Sequence, residues 1–275
     1  MAARKSSTEM FVRTVIARAY PRVIGQHREL SWVFFDIFLP LMATCAYVFV
    51  YKAIRAPEEY IGFVIMGGAM TAFWLNVLWS MSSQLYWEKE TGNLGLYVMA
   101  PNSLMAILLG MALGGMIATC MRALVIVVLG SWWFGVTYAI GDFIQLFATF
   151  MLTMTALYGL GMLFASLFLM FGREAWHMSN LLQEPVYLAS GFYFPIRSFN
   201  FWIAASASII PLTLGLDAMR QLLFASGAKF GFLSVRVEIA VLVVLCVVFI
   251  GAAKYSLDYM ERLAIREGRI TDTRK

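Results

Sequence analysis

Asp36, Arg122 and Glu184 are ionisable residues set inside long apolar runs, where a charge is costly and calls for a partner or a task. Asp36 lies near the start of its run, within reach of headgroups or of the arginines that precede it. Arg122 lies in a run long enough for its side chain to snorkel outward. Glu184 is nearest the middle of its run, and in Gln183-Glu184-Pro185 the proline frees a backbone carbonyl one turn earlier. The need to neutralise two charges predicts an Arg122–Glu184 pair, or else contact with something that passes through. A second concentration of chemistry is Tyr86-Trp87-Glu88-Lys89-Glu90-Thr91-Gly92-Asn93-Leu94, where charges stand among apolar neighbours. Such a segment is either a polar turn with Trp87 in the interfacial belt or a handle that a partner grips.

Other chemistries are excluded by what the chain lacks. It contains no G-x-x-x-x-G-K-[ST] phosphate loop and no Gly-Lys pair, so it does not cradle ATP in that way. Two histidines, His27 and His177, and the scattered Cys45, Cys120 and Cys246 offer no metal-ligand spacing. Ala189-Ser190-Gly191 is similar to the nucleophile motif of rhomboid-like proteases, but both histidines precede it and such a site needs a later one. The chain is expected to be no enzyme on its own and to bind no metal or cofactor itself.

The elements that position these residues follow from composition. Of 275 residues, 61% are hydrophobic and 13% charged, against roughly 45–50% and 25% in soluble domains. Strand-like alternation is absent, which leaves an all-α polytopic membrane protein. Apolar runs predict spans at 32–51, 60–83, 104–134, 143–171, 176–194 and 237–255, six in all. A broken apolar region at 199–232, interrupted by Pro211, Asp217, Arg220 and Lys229, is expected not to cross fully. Gly110 and Gly114, with Gly115 and Ala118, form a small-residue stripe suited to close helix packing within the chain. Residues 1–30 carry eight charged residues and no uninterrupted apolar stretch, so the first span is expected to act as its own insertion signal.

Charge sets orientation. Twenty-one Lys/Arg against 16 Asp/Glu give a net +5, which in a membrane protein is read by position and not as a nucleic-acid signature. Fourteen basic residues lie in the N-terminal 30 residues, the C-terminal tail and the two loops on that side, against six on the other side. Both termini are therefore expected in the cytoplasm, with the chain in the cell (inner) membrane. Ahead of the first span, Phe11, Val12, Val15, Ile16, Ala19, Tyr20 and Val23 recur at helical spacing, with Arg13, Arg18 and Arg22 projecting elsewhere. This predicts an interfacial helix, kinked at Pro21, whose arginines meet anionic lipid. The expected organisation is a cytoplasmic N-terminus at 1–30, a permease domain at 31–260 with an inner loop at 84–103 and an outer re-entrant segment at 195–232, and a basic tail at 261–275.

The inner loop resembles that of type-two ABC transporter permeases, in which an acidic E-x-x-G-x-L stretch precedes Pro-x-Ser at the next helix. The matching residues are Glu90, Gly92, Leu94, Pro101 and Ser103, with the glycine one place early and Gly95 where a second acid is common. Ser190-Gly191-Phe192-Tyr193-Phe194-Pro195-Ile196 is similar to the family's small-Gly-x-aromatic-Phe-Pro signature. Pro211-Leu212-Thr213 and Arg220 resemble its outer segment, though a second proline near Phe199 is missing. The resemblance implies that two permeases, identical or paralogous, pair to give twelve spans. Each docks a nucleotide-binding subunit, which holds ATP and Mg, through a coupling helix drawn from Trp87, Glu88, Lys89, Glu90, Gly92 and Leu94. It also implies export of an amphiphilic, drug-like, lipid or lipid-linked/polysaccharide cargo through the cleft between the permeases, past an outer gate that includes Gly191, Phe192, Phe194, Pro195 and Pro211. An ion-coupled transporter or channel is the alternative; such proteins often show broken helices at matching places in two halves, and only one broken segment is visible here.

Overall fold

The computed structural model describes residues 7–28, 30–99, 103–171 and 175–267. Among them every regular element is a helix. The helices are α1 Ser7–Arg28, α2 Leu30–Ala53, α3 Glu59–Leu75, α4 Gln84–Glu90, α5 Asn93–Met99, α6 Leu104–Phe134, α7 Phe143–Phe171, α8 Ala175–Ala189, α9 Phe201–Ala207, α10 Pro211–Leu223, α11 Gly227–Phe230 and α12 Val235–Glu267. Five are long and apolar enough to cross a membrane: Val33–Ala53, Glu59–Glu90, Leu104–Phe134, Phe143–Leu169 and Val235–Arg262. The chain is thus an all-α polytopic membrane protein. The second of these spans is α3 continued through a π-helical turn, Asn76–Met81, into α4. There the Ser82 N–H reaches back five residues to Val77 O at 2.9 Å.

The ends of the helices have local causes. Ser103 opens α6, its side chain accepting from the Ala106 N–H at 3.3 Å, which gives the Pro-x-Ser motif a capping role at its serine; Pro101 lies outside the described residues. Asp142 opens α7 by accepting from the N–H groups of Ile144 (2.9 Å) and Gln145 (3.1 Å). Pro211 occupies the first turn of α10, where a missing N–H costs nothing.

Two expectations need correction. The fifth span, expected at 176–194, is helical only to Ala189, so α8 has 15 residues and rises about 22 Å against a hydrocarbon core of about 30 Å. Gly191, at φ 68°, turns the chain in a conformation that glycine tolerates and that ends the helix. The broken region that follows is a bent pair, with α9 and α10 meeting at 108°.

The second correction concerns α1. It is one helix through Pro21, and its half-buried and exposed positions alternate in pairs. Phe11, Val15, Arg18, Ala19 and Arg22 turn toward the protein, while Val12, Ile16, Tyr20 and Ile24 are exposed. Of the three arginines expected to meet lipid, Arg18 and Arg22 therefore face inward, while Arg13 stays exposed and pairs with Glu9 at 2.8 Å. The cause lies on α6, against which α1 packs. A Cβ on Gly110 would stand 2.5 Å from Val15 O, and one on Gly114 would stand 2.7 Å from Ala19 O and from Arg22 Cβ. The glycine stripe is filled by α1 within the same chain, as its composition led us to expect.

That packing also explains the length of α6. Arg122 lies about 27 Å along the helix from Leu104, yet it meets Asp36, in the first turn of the apolar part of α2. The first turns of α6 thus run beside α1, and only the remainder runs beside α2. Arg122 belongs to the end of the bundle that holds α1 and not to its middle.

Gly114→Ala is expected to lower the thermal stability of the detergent-solubilised protein by about 1–3 kcal/mol through overpacking. Gly251→Ala, where a Cβ meets nothing within 4 Å, should leave it unchanged or raised. Equal melting of the two variants would contradict the packing described.

Candidate functional site

At the α1 end of the bundle, the chain leaves α4 through Thr91 and Gly92, the glycine at φ 79°, and folds back as α5. This hairpin has a buried and an exposed face. Leu85 and Leu94 are fully buried, and Glu88 is nearly so. Trp87, Glu90, Thr91, Gly92, Leu96 and Met99 are exposed, and Lys89 is half-buried.

The buried carboxylate organises the site. Arg18 donates to Glu88 Oε1 at 3.1 Å, Gln84 Nε2 donates to the same oxygen at 3.0 Å, and the Tyr97 hydroxyl donates to Oε2 at 3.0 Å. Arg18 also donates to the Tyr97 oxygen and lies over its ring, 4.6 Å from the centroid. Arg22 continues the network, donating to Gln84 Oε1 at 2.7 Å and to Ser80 Oγ. Burial raises the Tyr97 phenol above its ordinary value and the bond to Glu88 adds to this, so Tyr97 stays a neutral donor. Burial lowers the Arg22 guanidinium, with Tyr158 and Glu88 opposing that shift. The network ties α1 to α4, α5 and the π-helical turn.

Of the six residues expected to face a partner, the structure thus turns Trp87, Glu90 and Gly92 outward and Glu88 and Leu94 inward. Leu96 and Met99, 61% and 77% exposed, were not anticipated; their signal is a pair of large apolar residues three apart beside the charged segment. Arg18, Gln84 and Tyr97 were missed as well, because their roles depend on which face of α1 meets α6.

Arg122 and Glu184 do not pair. Arg122 forms its ion pair with Asp36 and donates to Ala118 O at 3.4 Å and Thr119 Oγ1 at 3.4 Å. Glu184 is exposed and accepts from Gln183 Nε2 at 3.1 Å, while Gln183 Oε1 accepts the Trp79 indole N–H at 2.7 Å. The level of Arg122, near the α1 end, brings it beside Asp36.

At the far end, Gly191, Phe192 and Pro195 are buried in the turn after α8, with Phe194 half-buried. Arg220, fully enclosed on α10, holds this turn by its backbone. It donates to Gly191 O (2.6 Å), Phe192 O (2.6 Å), Phe194 O (3.4 Å) and, on α3, Phe63 O (2.7 Å). Tyr51 supplies the remaining bond, to Tyr193 O at 3.0 Å. Four successive carbonyls freed by the end of α8 are thus satisfied, as buried polar groups require. Gly67 allows the approach, since a Cβ there would lie 1.5 Å from Phe192 O. Close by, Gln221 Nε2 bridges Asp217 Oδ2 (3.2 Å) and Glu238 Oε2 (3.2 Å), joining α10 to α12.

A family model described as ABC-2 type transporter matches residues 13–224, from within α1 to the end of the α10 segment. A search of curated proteins finds no match.

Glu88→Ala is expected to cost about 2 kcal/mol, the scale of hydrogen bonds to a charged group, because it strands Arg18. Glu90→Ala, on the exposed face, should cost less than about 0.5 kcal/mol. Thermal melts of the two variants in one detergent check this, and equal losses would contradict the division of faces.

Proposed function

Because the chain belongs to the ABC-2 type transporter family, it is the membrane-spanning permease component of an ABC transporter, and we propose that it works as an exporter driven by a separate ATPase. In this reading two permeases, identical or paralogous, form the pathway, and each seats one nucleotide-binding subunit that holds ATP and Mg. The observation that carries it is the two-faced hairpin of α4 and α5. Its outer face presents Trp87, Glu90, Leu96 and Met99 to a partner. Its inner face is locked to α1 by Arg18, Glu88 and Tyr97.

The mechanism follows from that stiffness. A push on Trp87 and Glu90 does not dissipate in a floppy loop, because Glu88 and Leu94 are enclosed. It passes through the π-helical turn into α3 and through Arg18 into α1, which is seated on α6. With both termini cytoplasmic in the cell (inner) membrane, the exposed strip Val12, Ile16, Tyr20 and Ile24 rests on lipid. The far-end turn Gly191–Pro195 and Pro211 then line the outer gate, which Arg220 couples to α3 through Phe63. Cargo is an amphiphile, drug-like, lipid or lipid-linked, leaving through the cleft between the permeases.

Co-purification with a co-expressed candidate ABC nucleotide-binding subunit tests this reading. The wild-type chain is expected to elute as a stable complex. Glu90→Lys and Leu96→Asp should each weaken it by about tenfold, the scale of one central interface contact, with melting temperature unchanged. A well-folded chain that binds no ATPase, or variants that bind as wild type does, would contradict it.

A further inference from the structure

A cavity of about 460 Å³ opens between α2, α3 and α6, lined by Phe35, Asp36, Pro40, Asn76, Trp79 and Arg122 among others, within the range of roughly 300–1,000 Å³ typical of small-molecule sites. Three independent irregularities converge on it. The Asp36–Arg122 ion pair stands at its wall. Asn76 and Trp79 belong to the π-helical turn, a distortion that often marks functional sites. Pro40, on α2, has no N–H to give to the Asp36 carbonyl one turn back.

The two charges are not equivalent. The Arg122 side chain is 14% exposed and that of Asp36 44%. The Arg122 nitrogens are engaged by Asp36, Ala118 O and Thr119. The neighbouring cation, Arg22, is turned onto Gln84 and Ser80. The Asp36 carboxylate is therefore the more exposed of the two charges on the lining, next to a backbone carbonyl that Pro40 cannot serve and among the side chains of Phe35, Asn76 and Trp79. Aromatic faces favour a cation, and an apolar rim of Leu39, Ala72 and Leu75 suits an alkyl chain.

We propose that this cavity binds the primary ammonium group of an amphiphile, with the N–H donors on Asp36 and the chain along α2 and α3. Asp36 lies in the first turn of the apolar part of α2, so the site stands at headgroup depth in the leaflet on the α1 side. The inference deepens the exporter reading by naming a cargo class, and it rests on that reading only for the word cargo. The same ammonium could come from an aminophospholipid of the leaflet or from a soluble amine.

Calorimetric titration of the purified full-length chain in neutral detergent tests it, with octylamine, octyltrimethylammonium and octanesulfonate as probes. Octylamine is expected to bind about tenfold more tightly than octanesulfonate, on the scale of one charge-assisted contact, and more tightly than the trimethyl compound, which has no N–H. Asp36→Asn should abolish that preference and Asp36→Glu should keep part of it. Ala72→Leu, which fills the cavity without touching the ion pair, should weaken octylamine likewise. Equal binding of amine and sulfonate by the wild type, or a preference that survives in folded Asp36→Asn or Ala72→Leu protein, would overturn the proposal. Displacement of octylamine by phosphatidylethanolamine in nanodiscs supports the lipid source, and its persistence supports the soluble one. No ATPase is present, so failure here is distinct from failure of the exporter reading.

Discussion

A carboxylate enclosed by protein at the end of a membrane bundle must be met by a cation and by donors for its remaining lone pairs, or it is not tolerated as an ion. Glu88 meets both conditions through Arg18, Gln84 and Tyr97, and much of the α1 end is arranged around that requirement. Arg18 reaches Glu88 only because α1 lies close on Gly110 and Gly114. That seating lengthens α6 beyond what a bilayer needs, and it places Arg122 beside Asp36. The hairpin of α4 and α5 thereby becomes a firm surface with its charged neighbours sorted to two faces.

The far end solves the complementary problem with the opposite charge. Ending α8 at Ala189 leaves a run of carbonyls in apolar surroundings, and the guanidinium of Arg220 collects those of Gly191, Phe192 and Phe194. A planar group with five donors is suited to this task where a lysine is not. The two ends are joined by α3, which meets Arg220 through Phe63 and runs through the π-helical turn into α4. One continuous element thus touches both the candidate partner surface and the candidate outer gate.

Span positions were legible because hydropathy is a local property: α6 and α7 begin and end where the apolar runs do, at Leu104–Phe134 and Phe143–Phe171. The motif order of the inner loop and outer segment was legible as well, and it pointed to the family that matches. What the chain order does not carry is rotation and register. Arg18 and Arg22 were read as facing lipid because the apolar residues of α1 fall on two adjacent stripes, and only the glycines of α6 decide which stripe is covered. Arg122 was expected beside Glu184 because the length of the α6 run does not tell at which level its neighbours start, and so did not place Arg122 beside Asp36. The end of α8 was missed because one glycine at positive φ is silent in an apolar run.

In the proposed function, α4 and α5 form the surface through which ATP hydrolysis on a partner reaches this chain. Hydrogen–deuterium exchange of the permease with and without the nucleotide-binding subunit tests it most directly. New protection is expected to concentrate at 84–99, with the outer segment at 195–232 unprotected by docking itself. Protection that appears elsewhere and leaves 84–99 unchanged would contradict it.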